Sequence, residues 1–354
     1  MIRFGVIGTG WRTLHFIRIA AARPDLFEVV GVVTRDVERA KQQFIGYDVP
    51  LYSSLDEMLA QKPLYVITSV PWDVNPGMLT QLAEAGMPAL SETPPATTIE
   101  DMSALYQLVR NGAKIAVAEQ FHLQPHHAAR LAFIETGKIG TVSQAQYSVG
   151  HGYHGISLIR RTLGVIFENA TITAHKFDSP IVHSPNRDGD AKTKEITTST
   201  QLIAHMDFGG KLGVLDFTGD QYFSYIRGQR ILIRGERGEI INDTAVYLQD
   251  HTTPIHVTFR REDMGQRGNH QGHHLKSIQV GEQWIYKNPL APARLRDEEI
   301  AIGHAMLKMA DYADGSSPFY SLAEACQDRY LDIVTWQAAE SGQPITTETQ
   351  SWAQ

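Results

Sequence analysis

The chain's most pointed chemistry sits near its start. Gly8-Thr9-Gly10-Trp11-Arg12-Thr13 follows the apolar run Ile2–Ile7 and precedes a stretch of helical periodicity. Two glycines between a strand and a helix can cradle a phosphate. Gly8 permits the tight turn, and Gly10 lets a pyrophosphate approach the backbone where the helix amides and dipole favour an anion. Thr9, Trp11 and Arg12 complete the candidate diphosphate contacts. Thr13 stands where a third glycine would finish G-x-G-x-x-G, and a plain glycine turn is the competing reading.

A dinucleotide also needs a group for its adenosine ribose, at the end of the second strand ~20 residues on. There the sequence runs Val33-Thr34-Arg35-Asp36. An acid in that slot would mark NAD. The slot holds Thr34, with Arg35 beside it, and a hydroxyl plus a guanidinium suits a 2′-phosphate. The expected cofactor is NAD or NADP, tilted toward NADP. Asp36 reaching the ribose, and Arg35 as an ordinary solvated charge, are the competing readings.

Other polar clusters read more plainly. His270-Gln271-Gly272-His273-His274 has imidazoles at metal-ligand spacing, but its glycine and polar neighbours suggest a solvated loop, and no metal is expected. His126-His127 opens a helix and reads as surface. Asp216 and Asp220 frame a strand end, as cleft-lining or turn acids. Cys326 lies inside a helical pattern and reads as packed rather than reactive.

The sequence resembles the Gfo/Idh/MocA oxidoreductases, relatives of glucose–fructose oxidoreductase and inositol dehydrogenase, over nearly its whole length. The resemblance rests on Gly5–Thr13, Ser69-Val70-Pro71, Gly86–Pro94, the Gly137–Gly140 turn, Ile233–Ile241 and Ala338–Pro344. It implies a Rossmann domain over residues 1–122, a doubly wound parallel sheet that binds the cofactor. Residues 123–354 would then form an α+β domain with a large, mainly antiparallel, open-faced sheet. That domain would hold substrate and mediate a homo-dimer or homo-tetramer, its C-terminal helices packing back toward the first domain. Val70, Pro71, Asn75, Glu92, Thr93 and Gln120 are the further cofactor contacts implied. The implied reaction passes a hydride between a nicotinamide and a carbohydrate-like small molecule: a sugar, polyol or related cyclic hydroxyl compound.

Departures from the family pattern bear on proton transfer. The family usually carries Glu-Lys-Pro, and its lysine helps to move the substrate proton. This chain reads Glu92-Thr93-Pro94, and a threonine hydroxyl cannot replace a desolvated lysine as acid or base at neutral pH. The family also places an aspartate, a histidine four residues on, and a second aspartate three further. Counting back from Leu163-Gly164 puts the histidine at His154, with Gly150 and Ser157 in the aspartate slots. The asparagine–aromatic–arginine segment becomes Gln120-Phe121-His122. His154 is then the expected acid–base group, because an imidazole with a pKa near ~6.5 takes a proton close to neutrality. Tyr153 is its catalytic neighbour. His151, Tyr153, His154 and, across the interdomain cleft, His122 are the expected substrate contacts. A capping or buried structural histidine is the competing reading of His154. Two other function classes stay open: a redox-assisted glycosidase holding NAD tightly, and a cofactor-binding protein whose fold outlived its chemistry. Tyr153 and His154 adjoin, which departs from the Tyr-x-His usual in such glycosidases.

These residues need elements to hold them. Strands Ile2–Ile7, Glu28–Val33, Leu64–Thr68, Ala89–Ser91 and Lys114–Ala118 alternate with helices, which predicts a parallel sheet with right-handed crossovers. In the first helix Leu14, Ile17 and Ala21 fall at helical spacing. Asp36 and Thr98 are candidate N-caps, and Ser54-Leu55-Asp56-Glu57 is a capping-box pattern. After the helix His126–Glu135 the period changes to alternation: Ser143–Val149, Thr171–Phe177, Thr198–Phe208, Lys211–Thr218, Arg230–Arg234, Glu239–Leu248 and His256–Phe259. Gly155–Leu163 interrupts as a helix. Pro180–Thr193 reads as a long exposed loop, and the tail returns to helix over Arg296–Ala313 and Leu322–Ala339.

Composition excludes several classes. With 354 residues, 42% hydrophobic and 20% charged, the chain is sized for two globular domains rather than a disordered or fibrous protein. Its 32 Lys and Arg against 39 Asp and Glu give a charge of −7, which disfavours nucleic-acid and anionic-membrane partners. A single cysteine forbids an internal disulfide and fits a reducing compartment. The start has no leader pattern, and no apolar run approaches the ~20 residues of a membrane span, so a cytoplasmic location is expected.

Overall fold

The structure, a computed structural model, describes residues 1–265 and 272–354. The chain divides into two compact units. The first comprises Met1–Pro125, Arg261–Ser277 and Tyr286–Cys326, and the second His126–Arg260, Ile278–Ile285 and Gln327–Gln354.

The first unit begins with β1 (Ile2–Ile7), α1 (Trp11–Ala22), β2 (Phe27–Val33), α2 (Val37–Gln43), β3 (Leu51–Tyr52) and α3 (Leu55–Leu59). It continues with β4 (Tyr65–Thr68), α4 (Asn75–Glu84), β5 (Ala89–Ser91), α5 (Ile99–Arg110) and β6 (Ile115–Val117). The six strands form one sheet in the order β3-β2-β1-β4-β5-β6, parallel throughout. Every residue of β4, β5 and β6 is buried, which is why these strands are short apolar runs without alternation. The order reverses at β1, flanked by β2 and β4. In such a sheet that reversal opens a crevice at the strands' carboxyl ends, and Gly8 lies at the carboxyl end of β1.

Local signals set the helix starts. The Asp36 side chain accepts the Arg39 amide at 3.0 Å, the Thr98 hydroxyl accepts the Asp101 amide at 3.1 Å, and Ser54 and Glu57 form a full capping box. The register of α1 differs from the expected Leu14–Ile17–Ala21 stripe. Its buried residues are Thr13, Phe16, Ile17, Ile19 and Ala20, while Ala21 is exposed. The larger Phe16 and Ile19 outcompete alanine for the core.

Next come α6 (Pro125–Glu135), β7 (Val142–Ser148), α7 (Gly152–Leu163), β8 (Thr171–Val182), β9 (Ile196–Asp207) and β10 (Leu212–Thr218). They are followed by β11 (Arg230–Gly235), β12 (Gly238–Ile241), β13 (Thr244–Leu248), β14 (Pro254–Met264), β15 (His274–Val280) and β16 (Gln283–Lys287). Then come α8 (Asp297–Ala313), α9 (Leu322–Ser341) and β17 (Ile345–Thr346). Among the described residues the second sheet has eleven strands in the order β16-β15-β14-β13-β12-β11-β7-β10-β9-β8-β17, mainly antiparallel, with β10 and β7 parallel. Helix α7 packs on β7 and β10.

Three expectations change here. Glu239–Leu248 is a hairpin rather than one strand, turned at Asn242, whose φ is +49°. The expected loop Pro180–Thr193 shrinks, because β8 runs on to Val182 and pairs Pro180 with Thr198. Beyond Ile172, β17 no longer covers that flank of β8, so proline removes no ladder bond there. Strands β15 and β16 extend the sheet past the region read as strand. Of the tail helices, α8 joins the first unit. Ile302, Met306, Met309 and Ala310 enter the core with Phe4, Ile17 and Tyr65, and the Tyr65 hydroxyl donates to the Met306 carbonyl at 3.1 Å. Among the described residues no helix is long and apolar enough to cross a membrane.

Candidate functional site

The glycine turn closes β1 onto α1. Gly8 has φ +104°, and a Cβ there would collide with the Ser69 carbonyl. Its amide donates to the Val33 carbonyl at 2.9 Å. Thr13, in the third-glycine slot, is buried and its hydroxyl donates back to the Gly8 carbonyl at 3.0 Å. The departure from G-x-G-x-x-G therefore locks the turn. Gly10 is different. It is the N-cap of α1 in an extended conformation, at φ −65° and ψ 169°. A Cβ on Gly10 would meet only Ser69 atoms, at 3.7 and 3.8 Å, an ordinary contact. The fold does not need glycine at 10, whereas a pyrophosphate lying on the turn does. No acid stands in the first turn of α1 to compete with an anion. The cradle thus fits a dinucleotide diphosphate.

The Arg12 side chain is engaged elsewhere than the turn. Its guanidinium pairs with Glu298 at 2.7 Å and with Glu92 at 3.6 Å, and stacks on the Trp11 ring at 4.5 Å. Thr9 is tied to α2, because Gln43 donates to its carbonyl at 2.8 Å. At the ribose end, Thr34 is buried and its hydroxyl accepts the Asp36 amide at 3.2 Å. Asp36 itself caps α2, and both it and Arg35 are exposed.

The remaining first-unit residues line the carboxyl end of the sheet. Val70 is half-buried and Pro71 exposed, just past β4. Asn75 is buried and its amide reaches Ser91 and Pro95, on either side of Glu92-Thr93-Pro94. Glu92 and Thr93 are both half-buried. Asn75 Oδ1 and Gln120 Nε2 are buried polar atoms without a hydrogen-bond partner among the described residues. His122 lies in a short 3-10 helix, Phe121–Leu123, with its ring 5.2 Å from Tyr320.

In the second unit, the first turn of α7 gathers His151, Tyr153 and His154. His151 is the N-cap, and both its amide and its Nδ1 lie within hydrogen-bond distance of the Tyr222 hydroxyl, at 3.1 and 2.6 Å. The ring centroid of His154 is 4.5 Å from that of Tyr153 and 5.0 Å from that of His151. Desolvation of the His151 ring, then the charges of His154 and Arg187, pull its pKa below the usual imidazole range. His151 therefore stays neutral near pH 7. Sequence reading missed Tyr222 and the buried acid Asp332 in α9. Tyr222 carried no signal. Asp332 stands out only as a charge inside the apolar run Leu331-Asp332-Ile333-Val334.

Several side chains have other work. His127 is 5% exposed rather than on the surface, because α6 turns it toward Tyr147, 6.0 Å between rings. Asp216 is held by Arg230 and Gln201, and Asp220 by Ser184 and Thr218. Cys326 is buried. Of the histidine cluster, His270 and Gln271 lie outside the described residues. Among the described residues no group of three or more His, Cys, Asp or Glu is placed to hold a metal ion.

Residues 2–120 match the family model described as the oxidoreductase family, NAD-binding Rossmann fold, of the Gfo/Idh/MocA proteins. This segment is a Gfo/Idh/MocA Rossmann domain. An uncharacterized oxidoreductase from Rhizobium meliloti, ORF334, is 28% identical to this chain over 149 residues, 41% of this chain and 45% of that protein. The match thus spans less than half the length of the curated relative. The whole fold is similar to that of the WlbA dehydrogenase from Bordetella pertussis, solved with NADH and UDP-GlcNAcA, at a TM-score of 0.65 and 18% identity over 98% of this chain and 99% of that one. It is similar to a myo-inositol dehydrogenase from Corynebacterium glutamicum at a TM-score of 0.66 and 17% identity, over 98% and 99%.

Proposed function

We propose that the chain is an NAD(P)-dependent oxidoreductase acting on a hydroxyl of a sugar, polyol or related cyclic compound. The observation that carries this reading is Gly10, a glycine the fold does not require, at the amide end of α1 in a Gfo/Idh/MocA Rossmann domain. The bound nicotinamide would supply the hydride acceptor or donor. The chain's own residues bind and move protons. Backbone amides from Gly8 to Arg12 hold the diphosphate, and Arg35 reads a 2′-phosphate, which favours NADP. Val70, Pro71, Asn75, Glu92, Thr93 and Gln120 surround the cofactor from the ends of the parallel strands.

His154 takes the proton of the substrate hydroxyl, since Thr93 has no titratable group. Tyr153, His151 and His122 contact the substrate. The carbohydrate class is supported by relatives of the same fold, one solved with UDP-GlcNAcA and one a myo-inositol dehydrogenase. Residues 1–122 serve as the cofactor domain and residues 123–354 as the substrate domain, assembled as a homo-dimer or homo-tetramer in the cytoplasm.

The test is a panel of sugars, inositols, nucleotide sugars and glycosides, followed by NAD(P)H absorbance and by aglycone release. Hydroxyl-dependent reduction of the cofactor supports the reading. Glycoside cleavage without net reduction would replace it with the redox-assisted glycosidase, and cofactor binding with neither reaction would leave a binding protein.

A further inference from the structure

His151 is bonded by a side chain that the proposed reaction does not yet use. The Tyr222 hydroxyl lies 3.1 Å from the His151 amide nitrogen and 2.6 Å from Nδ1 of the same residue. An amide can only donate, so its proton goes to the phenol oxygen. The phenol's single proton is then free for Nδ1. The length agrees, because 2.6 Å is shorter than the roughly 2.7–3.2 Å of N–H donors and suits a hydroxyl donor. Nδ1 is therefore the acceptor, and the ring's own proton sits on Nε2. The charge state fits. His151 keeps a solvent-accessible edge, yet the surrounding protein desolvates its ring. That desolvation, then the charges of His154 and Arg187, bring its pKa down to about 3. Among the described residues Nε2 has no hydrogen-bond partner.

A purely structural bond would staple the 3-10 turn Gly219–Tyr222 to the start of α7. Gln221 already holds that turn. It is 7% exposed, accepts the Thr218 amide at 3.0 Å, and donates to the carbonyls of Ser148 at 2.9 Å and Gly228 at 2.7 Å. The Tyr222 ring also rests edge-on against Phe217, with 5.0 Å between centroids. These contacts hold the phenol without help from the imidazole. The His151 side chain makes no capping bond to α7 either, although it stands at the N-cap. What the pair adds is a fixed tautomer. We infer that Tyr222 is a positioning residue that holds His151 as an Nε2–H donor toward a substrate oxygen. A neutral N–H fixed in this way stabilises charge developing on that oxygen and cannot take its proton, which goes to His154. This rests on the α7 turn being the substrate site, as proposed above.

Other groups around this turn are accounted for. Tyr153 and His154 share α7 with His151, their ring centroids 5.1 and 5.0 Å from its own. Arg187 acts on His151 from the connection between β8 and β9. Asp332 of α9 lies against Gly152, where any Cβ would meet its Oδ1, and it pairs with Arg329. Among the described residues Tyr222 alone is bonded to Nδ1 of His151.

The experiment is nitrogen-15 NMR of histidine-labelled full-length protein near pH 7, with His151→Gln identifying the signal. The expected spectrum shows one neutral tautomer, protonated at Nε2 and bare at Nδ1. A proton on Nδ1, or averaging of both tautomers, overturns the inference. Tyr222→Phe keeps the ring and removes the hydroxyl. In that variant the tautomers should average, and turnover should fall about 3- to 10-fold, the worth of one hydrogen bond, with the cofactor Kd unchanged. An unchanged His151 spectrum in Tyr222→Phe overturns the positioning role, as does full turnover in that variant alone. If Tyr222→Phe does not fold, the spectrum of the unaltered protein decides. The spectra need no substrate. Full turnover in both Tyr222→Phe and His151→Gln, with the tautomer fixed, would overturn the donor role by removing the substrate from the α7 turn. That failure is therefore distinguishable from failure of the Tyr222–His151 bond.

Discussion

Asn75 donates through Nδ2 to the Ser91 hydroxyl at 2.9 Å, and from the same nitrogen to the Pro95 carbonyl at 2.9 Å. The two acceptors bracket Glu92-Thr93-Pro94, so one buried amide fixes both ends of the segment where threonine replaces the family lysine. Asn75→Ala leaves both acceptors buried without that donor. It should cost about 1–3 kcal/mol in urea unfolding, and cofactor affinity should fall as the segment loosens. An unchanged midpoint with unchanged affinity would show that the segment holds itself.

Gly10→Val should separate binding from folding. The Cβ meets only ordinary contacts, so the melting temperature should stay close to that of the unaltered chain. Cofactor affinity by calorimetry should drop ~100-fold or more, as the side chain fills the diphosphate's place. Gly8→Ala should do the reverse in stability, losing about 1–3 kcal/mol from its positive φ. Full affinity in Gly10→Val would remove the diphosphate from this turn.

Arg35 is the proposed contact to the adenosine ribose. Arg35→Ala should weaken NADP by about 10-fold or more, the loss of one charge-assisted bond, and leave NAD nearly unchanged. Equal losses for both cofactors would mean that Arg35 reads no phosphate.

His154→Asn should lower turnover by about 10²–10⁴-fold with cofactor affinity intact. Full activity on a substrate found in the panel would pass the proton to Tyr153 or His122.

His127 should leave a mark on the pH dependence of stability. Burial, then the charges of Arg130 and His126, hold its folded pKa well below the ordinary value. The unfolded chain therefore binds the proton first. Stability is full above about pH 6.5 and is lost as pH falls, by at most ~1.4 kcal/mol per pH unit for one proton. His304 shifts the same way, so His127→Gln should flatten the acid slope without abolishing it. An unaltered slope in urea titrations between neutrality and mild acid would show that His127 is already charged.

What the sequence made legible was mostly local. Asp36, Ser54 and Thr98 cap helices whose first turns lie within three residues, and the glycine turn lies between its own strand and helix. Residues whose surroundings come from elsewhere were harder to read. His127 looked polar and terminal, yet α6 lays it beside Tyr147. Asn242-Asp243 turns a hairpin without a glycine, so β12 and β13 read as one strand. Tyr222 and Asp332 reach the α7 turn only through the folded chain, which no spacing in sequence can announce.

The double engagement of Arg12 by Glu92 and Glu298 has a kinetic corollary. A guanidinium already matched by two carboxylates projects little far field, and the chain's net charge of −7 opposes an incoming dinucleotide. Capture then works at hydrogen-bond range, through α1 amides that act only once the diphosphate has arrived. Electrostatic steering contributes little to the encounter. Added salt screens the repulsion and should speed association rather than slow it.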